Sequence, residues 1–403
     1  MRLFVVVPDF HPNVSGYGNA CVGFVEALSA TGSFLIDVFT LVGLESESEV
    51  QLSGVRVHRI AATRAMFFSR TLAQEISLIR TMKRLASQRP DFVLFETAEF
   101  PLAALYALRL FPGRVIVRIH ASADTEWVLF RRDFHYRWKR PFTRLLLRRV
   151  PCIFSTTRHY LQFIKTRFLD DDPLAIAQKR LLVMPNALPS MERSVATMSR
   201  RPTQSKDISL LSLGRMDRAG ELQKNFGRLL AAVARLRGAE YFSRLRIQIV
   251  GSGDMLPVMK RLVTELDIET NVQFHERLNN DQVQRLQREC DAVILASTFE
   301  GLSVFALESL RNGAPLLVSD HSGLSDLVRD RANGLLFDPL DVSDIAEKIR
   351  YFIEVMLPNL DSVRAASRSH FDANFSNERL MRAFAEELAF LAALRRSQAG
   401  SVE

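Results

Sequence analysis

No apolar stretch in this chain approaches the roughly 20 residues that a bilayer-spanning helix requires. The opening run Leu3–Val7 has five apolar residues before Pro8. That is too short for the core of a secretion signal and suits a buried first strand. Cysteine is scarce as well. Cys21, Cys152 and Cys290 lie far apart and have no metal-ligand spacing. Three cannot all pair, which favours a reducing cytoplasmic setting. No His/Asp cluster suited to a metal ion is evident, so no metal is expected. Surplus charge is lacking from most of the chain too. The net charge is +8, but residues 131–149 alone carry +7, with Asp133 as their one acid. The basicity is a local patch on a nearly neutral protein.

What is present is a globular composition, 47% hydrophobic and 24% charged, spread over 403 residues, which suits two domains of about 200 residues each. Strand and helix patterns alternate, which implies α/β architecture with parallel sheets covered on both faces. Strands are predicted at Leu3–Val7, Leu35–Thr40, Phe92–Phe95, Val115–Ile119, Ile153–Ser155 and Leu181–Met184. The rhythm restarts at Ile208–Leu213 and continues with Arg246–Val250, Val272–Phe274, Ala292–Leu295, Pro315–Val318 and Gly334–Phe337. Helices are predicted at Ala20–Ala30, Thr71–Ser87 and His159–Phe168. The division expected is an N-terminal lobe at 1–188, a polar linker at 189–206, a C-terminal lobe at 207–370 and a terminal segment at 371–403. Within that segment Asn377–Arg396 reads as an amphipathic helix with Leu380, Met381, Phe384, Leu388, Phe390 and Leu391 on its stripe.

Parallel sheets bind ligands at the carboxyl ends of their strands, so the loops there are the candidate sites. After the first strand come Gly16 and Gly18, leading into a helix. A dinucleotide fingerprint would need a third glycine at Cys21 and an acid near Thr40, and both are missing. A plain tight turn and a phosphate or sugar contact both remain open for these glycines. The strongest segment runs from Thr298 through Glu300, Gly301, Leu302, Ser303 and Val304 to Glu308, then Asn312-Gly313-Ala314-Pro315. Its helix should begin near Ser303, with a carboxylate before the helix and another on it. The unpaired N–H groups of a helix start can receive a diphosphate. An isolated helical glutamate is ordinarily a solvated surface residue. Here the apolar neighbours Val304, Phe305, Leu307 and Leu310 weaken that reading for Glu308.

The Glu-x₇-Glu segment and the Gly-Ala-Pro that leads into the next strand resemble the retaining glycosyltransferases of the GT-B fold, family 4. The likeness extends over nearly the whole chain. Gly214-Arg215-Met216-Asp217 is similar to the family's first C-lobe strand end, whose Arg binds donor phosphates. Lys224-Asn225 resembles its partner lysine at the start of the next helix. Gly251-Ser252-Gly253 resembles the glycine turn after the second strand. Asp338-Pro339 and Phe375-Ser376 resemble the segments leading to a terminal helix that returns to the N-lobe. The resemblance implies two Rossmann-like lobes facing a central cleft and a nucleotide diphosphate-sugar as co-substrate, with no other cofactor. It implies that Glu300 contacts the transferred sugar and that Glu308 holds the ribose. Phe274, His275 and the Gly251 turn would meet the base. Arg215 and Lys224 would clamp the departing diphosphate, two cations doing what a divalent metal often does. Their nine-residue separation is longer than usual, and Arg218–Leu222 is expected to be extra loop.

His120, at the end of the strand Val115–Ile119, falls where the resemblance places a sugar-contacting histidine. It is expected to orient the donor sugar or the acceptor, although a lone histidine is commonly structural. Glu96 and Glu99 are candidates for acceptor hydroxyls or ordinary solvated loop acids. Within 131–149, Phe134, Trp138, Phe142, Leu145 and Leu146 interleave with the cations. That pattern suits contact with an anionic membrane surface, or a cationic surface helix with a buried stripe, ahead of nucleic acid, which is not expected. The functions in view are hexosyl transfer to a glycan or lipid-linked acceptor in surface polysaccharide or glycolipid synthesis, at the inner face of the membrane. The alternatives are a silent sugar-binding or scaffold protein on the same fold, or a sugar-nucleotide epimerase.

Overall fold

The runs Leu3–Val7 and Phe92–Phe95 carry no polar alternation, and each becomes a strand buried on both faces, as a parallel sheet covered by helices requires. The computed structural model describes residues 1–8, 10, 16–41, 52–60, 70–120, 139–169, 173–177, 179–189 and 207–400. The linker and the first part of the basic patch, 190–206 and 131–138, lie outside the described residues. Two compact units emerge, Met1–Ser190 with Ser376–Glu403, and Met191–Phe375.

The first unit holds β1 (Arg2–Val7), β2 (Leu35–Leu41), β3 (Val55–Ile60), β4 (Phe92–Phe95), β5 (Val115–Ile119), β6 (Cys152–Ser155) and β7 (Arg180–Val183). They form one parallel sheet in the order β3-β2-β1-β4-β5-β6-β7. Its helices are α1 (Gly16–Ala30), α2 (Arg70–Arg84), α3 (Pro101–Leu110), α4 (Arg140–Arg149), α5 (Arg158–Ile164) and α6 (Pro173–Ala177). Strand side chains alternate in direction, so Leu3, Val5 and Val7 enter one core while Phe4 and Val6 enter the other.

The second unit holds β8 (Ile208–Leu213), β9 (Leu245–Val250), β10 (Val272–His275), β11 (Ala292–Leu295), β12 (Leu316–Ser319) and β13 (Gly334–Phe337), in the order β10-β9-β8-β11-β12-β13. Its helices are α7 (Arg218–Lys224), α8 (Phe226–Ala234), α9 (Leu256–Glu265), α10 (Asn280–Glu289), α11 (Val304–Arg311), α12 (Val342–Tyr351) and α13 (Leu360–Asn374). In each sheet the direction of strand addition reverses once, between β1 and β4 and between β8 and β11. Those are the switch points at whose carboxyl ends such sheets bind ligands.

The terminal helix α14 (Asn377–Gly400) belongs to the first unit. Leu380, Met381, Phe384, Leu388 and Leu391 join its core, and Phe384 meets Phe24 with ring centroids 5.2 Å apart. Asn377 clasps the backbone of Leu188 through both its N–H and its C=O, at 3.0 and 2.7 Å. Phe390 leaves the predicted stripe. It is 47% exposed and lies under the Arg180 guanidinium, which Glu387 grips through both oxygens.

Three sequence expectations need correction. Strand β3 was not foreseen, because Arg56, His58 and Arg59 interrupt its apolar pattern. It is an edge strand, half exposed, and His58 pairs with the buried Asp37 at 2.9 Å. Helix α1 starts at Gly16 rather than Ala20, which places Gly16 and Gly18 inside its first turn instead of in a loop. Residues Arg218–Leu222 are the body of α7 rather than extra loop, with Asp217 capping the helix by accepting from the Gly220 N–H at 2.6 Å.

Candidate functional site

The loops that leave the carboxyl ends of β8, β9, β11, β12 and β13 are tied together by hydrogen bonds, and they carry most of the predicted donor residues. Asn225 is the central tie. It sits in the left-handed region at φ 60°, where asparagine is tolerated better than most residues. There it ends α7 and starts α8. Its buried amide donates to Ala296 O at 3.0 Å and to Pro339 O at 2.8 Å, joining the loops after β8, β11 and β13. Thr298 adds a second seam, its N–H and hydroxyl donating to Gln223 O and Leu222 O.

Held this way, Lys224 Nζ meets Glu300 Oε2 at 2.5 Å, and Ser297 Oγ donates to the same oxygen at 3.3 Å. Both partners are mostly buried, at 15% and 13% exposed. The predicted phosphate cation and the predicted sugar carboxylate are therefore direct partners. The lysine comes from the end of α7, not from the start of the following helix. Arg215 lies in the loop after β8, 63% exposed, with Asp217 3.6 Å away. Its loop is seated against the glycine turn, since Met216 N donates to Ser252 O at 3.0 Å and Met255 N to Met216 O at 2.7 Å. A Cβ on Gly251 would stand 1.9 Å from Gly214 O, so glycine is required there for the two loops to touch.

Glu300 O accepts from Gly323 N at 2.9 Å, and Gly301, Leu302 and Ser303 follow. Ser303 is the N-cap of α11, its side chain accepting from Ala306 N, so the helix starts at Val304. Glu308 lies one turn in and is half-buried. Burial pushes its carboxyl above the usual range, against the opposing pull of Arg311 and a hydrogen bond from Gln287. Phe274 packs on the core from the edge strand β10. The next residue, His275, bonds Gln248 through its ring at 3.2 Å and accepts from Gly251 N through its carbonyl.

A second constellation occupies the β1/β4 switch point of the first unit. Glu96 is fully buried rather than a solvated loop acid. Its Oε2 accepts from Arg118 Nη1 at 2.7 Å and approaches His120 Nε2 at 2.6 Å. Tyr17, on the first turn of α1, donates its hydroxyl to Glu96 O at 2.5 Å and sets its ring edge-on to His120, centroids 4.9 Å apart. Arg118, at 0% exposed, is satisfied by Met184 O, Pro185 O and Asn186 Oδ1 and stacks on Phe24. Burial pushes the Glu96 carboxyl up, but Arg118 and His120 outweigh it and hold the group below the usual range. Burial and then Arg118 push the His120 imidazole down. Among the described residues Glu96 Oε1 is buried without a hydrogen-bond partner, an omission that costs about 1–3 kcal/mol, while the Asn186 side chain beside the His120 ring favours its charged form. Among the described residues Cys21, Glu96 and His120 bring metal-capable atoms within 4.8 Å of one another. The sequence could not show this grouping, since the three come from separate elements. Glu99 is half-buried and accepts from Lys139 Nζ through its carbonyl.

Gly16 is exposed, and a Cβ there would meet nothing within 4 Å, so packing does not demand this glycine. Tyr17, Arg118 and Asn225 were missed as site residues. The available signals were a tyrosine between two glycines, an arginine inside an apolar strand, and an asparagine directly after the lysine.

Two family models match the chain, "Glycosyl transferase 4-like domain" over residues 15–177 and "Glycosyl transferases group 1" over 197–366. Between them the two models span most of the chain and support a glycosyltransferase of the GT-B type. Curated glycosyltransferases match it in part, the chain spanning 26% to 62% of the length of such relatives. One is the N-acetylgalactosamine-N,N'-diacetylbacillosaminyl-diphospho-undecaprenol 4-alpha-N-acetylgalactosaminyltransferase of Campylobacter jejuni. It is 24% identical over 247 residues, which cover 61% of this chain and 62% of that protein. Among solved structures, sucrose-phosphate synthase from Thermosynechococcus elongatus superposes with TM-score 0.76 at 15% identity, covering 98% of this chain and 99% of the other. Anabaena HepE in complex with UDP and glucose superposes with TM-score 0.69 at 15% identity, covering 96% and 99%. These likenesses establish the GT-B fold.

Proposed function

We propose that the protein transfers a hexosyl unit from a nucleoside diphosphate-sugar to a hydroxyl of a glycan or lipid-linked acceptor. The observation that carries this reading is the Lys224–Glu300 pair at the β8/β11 switch point, in a loop cluster that also bears Arg215. A diphosphate arriving at that edge would draw Lys224 and Arg215 to its oxygens and release Glu300 to accept from a sugar hydroxyl. Glu308, one turn into α11, would take the ribose. In the reaction the bond from the anomeric carbon to the β-phosphate oxygen breaks and a bond to the acceptor oxygen forms. The acceptor proton leaves on the departing phosphate. Arg215 and Lys224 stabilise the charge that gathers there. Transfer with retention is the outcome the family resemblance implies. Support for the donor class comes from HepE, whose structure holds UDP and glucose, and for the acceptor class from the Campylobacter relative, named for a diphospho-undecaprenol-linked substrate.

A peripheral seat on the cytoplasmic face of a membrane completes the reading. No helix among the described residues is long and apolar enough to cross a bilayer. Helix α4 buries Thr143, Leu146 and Leu147 and exposes Phe142, Leu145 and Arg149 on one arc, with Arg140 exposed at its first residue. Cations beside apolar side chains on one exposed face suit an anionic lipid surface. Lys139 does not belong to that face. It is 7% exposed and turned toward Glu99 and Phe100. Flotation with phosphatidylglycerol vesicles should lose the variant Arg140→Glu/Arg144→Glu/Arg149→Glu, and equal flotation of wild type and variant would remove the membrane from the account.

Donor binding is tested by thermal unfolding with UDP, GDP and ADP in turn. One of them at 100 times its dissociation constant should stabilise by about 2.7 kcal/mol. Absence of a shift with every diphosphate would overturn the donor assignment.

A further inference from the structure

We propose that Gln287 is a positioning residue for Glu308: its amide, locked in one orientation, turns an N–H to the Glu308 carboxylate and keeps that group an acceptor for hydroxyls of the bound nucleotide. The proposal deepens the transferase reading and rests on it for the identity of the ligand. Gln284 and Gln287 stand on α10 and are buried, at 3% and 0% exposed. Asn312 is the C-cap of α11. Gln287 Nε2 lies 3.1 Å from the carbonyl of Phe305, on the helix that carries Glu308. A backbone carbonyl only accepts, so the atom facing it is the amide nitrogen, and the orientation of Gln287 is fixed. Its Oε1 then faces Asn312 Nδ2, which donates to it at 2.9 Å and to Gln284 Oε1 at 2.7 Å. Asn312 thus uses both of its N–H groups, and Gln287 uses its oxygen and one N–H. The second N–H of Gln287 makes the hydrogen bond to Glu308.

Reversing any of these amides would set two oxygens or two N–H groups against each other in a buried junction, so the set has one arrangement. Glu308 therefore meets a donor on its α10 side. Several charged groups stand on its own helix and on the elements packed against it. Arg311 is on α11 itself, α10 brings Arg288, α13 brings Arg364 and Arg368, and the turn Gly323–Leu327 brings Asp326. Arg364 is committed to the carbonyls of Arg288 and Cys290, and the Arg368 guanidinium lies over Gly313. Burial pushes the Glu308 carboxyl up, and Arg311 and then Gln287 hold it down. An ionised carboxylate offers only lone pairs, the complement of a ribose hydroxyl, and no complement to an ionised phosphate. An amide cluster between two helices also serves packing. The two roles separate on the ligand, since packing loss weakens every ligand of the loop cluster alike, and positioning loss only those with a ribose.

The experiment takes the full-length chain with ¹³C-labelled glutamate carboxyls and ¹⁵N-labelled glutamine amides, assigning the two signals by comparison with Glu308→Gln and Gln287→Met. In the ligand-free wild type the Gln287 amide should shift with the same pH midpoint as the Glu308 carboxyl. An amide indifferent to that titration would overturn the proposal, and this result needs no variant at Gln287 to stay folded. Gln287→Met removes the donor without adding charge, so Glu308 should titrate at higher pH, and an unmoved titration in the folded variant would also overturn it. Binding is then read by calorimetric titration with whichever of UDP, GDP and ADP binds the wild type, beside inorganic pyrophosphate. Gln287→Met should weaken the nucleoside diphosphate about threefold or more at pH 6, roughly the effect of one hydrogen bond, and less at pH 8. Its affinity for pyrophosphate should stay within about twofold, since no phosphate is touched. Equal losses for both ligands would show packing alone and contradict the assignment. A wild type that bound no nucleoside diphosphate would fail the transferase reading but leave the amide and carboxyl titrations standing.

Discussion

Replacing Asn225 separates the backbone from the side chain at the tie that seats Lys224. In Asn225→Ala the carbonyls of Ala296 and Pro339 lose their donor inside a water-excluded junction. At about 1 kcal/mol for each hydrogen bond, that loss is about 2 kcal/mol. Alanine must also hold φ 60°, which costs an ordinary L-residue roughly 1–2 kcal/mol. The expected destabilisation is therefore about 3 kcal/mol. For a unit the size of residues 191–375, that lowers its calorimetric transition by roughly 6–12 °C. Asn225→Gly loses the same bonds but adopts the conformation without strain, so it should lie between wild type and alanine, about 1 kcal/mol above the latter. Scanning calorimetry of the full-length chain gives the order directly, and a UDP titration of each variant reports whether Lys224 has moved. If alanine and glycine are equally destabilised, the strain argument fails. If both melt within a degree of wild type, the tie carries no stability and the account of how Lys224 is placed is wrong.

Other substitutions probe separate parts of the structure. Glu75 is buried and accepts from the N–H groups of Leu102 and Ala103 at the start of α3, and burial pushes its carboxyl up to about 7. A raised folded pKa favours the protonated native state. Its stabilisation is full below about pH 4.5 and is lost as pH rises through about 7, so unfolding free energy should fall by about 2 kcal/mol between pH 5 and 8. Glu75→Gln should flatten that slope in urea titrations, and an unchanged slope would show that another group is responsible. In Gly251→Ala the new Cβ would strike Gly214 O, so the Arg215 loop must move. We expect a loss of about 1–3 kcal/mol in stability together with weaker UDP binding by calorimetric titration. Unaltered binding would mean that the glycine turn serves packing alone.

The strands were legible because a doubly covered parallel sheet demands unbroken apolar runs. Ile208–Leu213, Ala292–Leu295 and Gly334–Phe337 form with the bounds their hydrophobicity suggested. The edge strand β3 was not legible, since its half-exposed position lets Arg56 and Arg59 break the pattern. At the site, the expected helix start near Ser303 coincides with that residue's place as the N-cap of α11. What local pattern could not convey were contacts across sequence distance. Nothing near Lys224 announces Glu300 as its partner, because the bond spans 76 positions and depends on Asn225 bonding two other loops. Likewise Arg118 looks like a flaw in an apolar strand until Glu96 is found against it. The glycines after β1 left a tight turn and a phosphate or sugar contact both open, and the structure adds that the tyrosine between them donates to the Glu96 carbonyl and sits edge-on to His120.

The central claim is that the loops after β8 and β11 hold a nucleoside diphosphate-sugar for transfer. Its most direct measurement is release of nucleoside diphosphate from a panel of nucleotide-sugars, with and without a membrane extract as acceptor source. Wild type should release diphosphate from one donor, and Arg215→Ala/Lys224→Ala should lose about 100-fold or more of that rate, because both charge-assisted contacts to the leaving group are gone. Release by the double variant at the wild-type rate, or no release from any donor by wild type, would contradict the account.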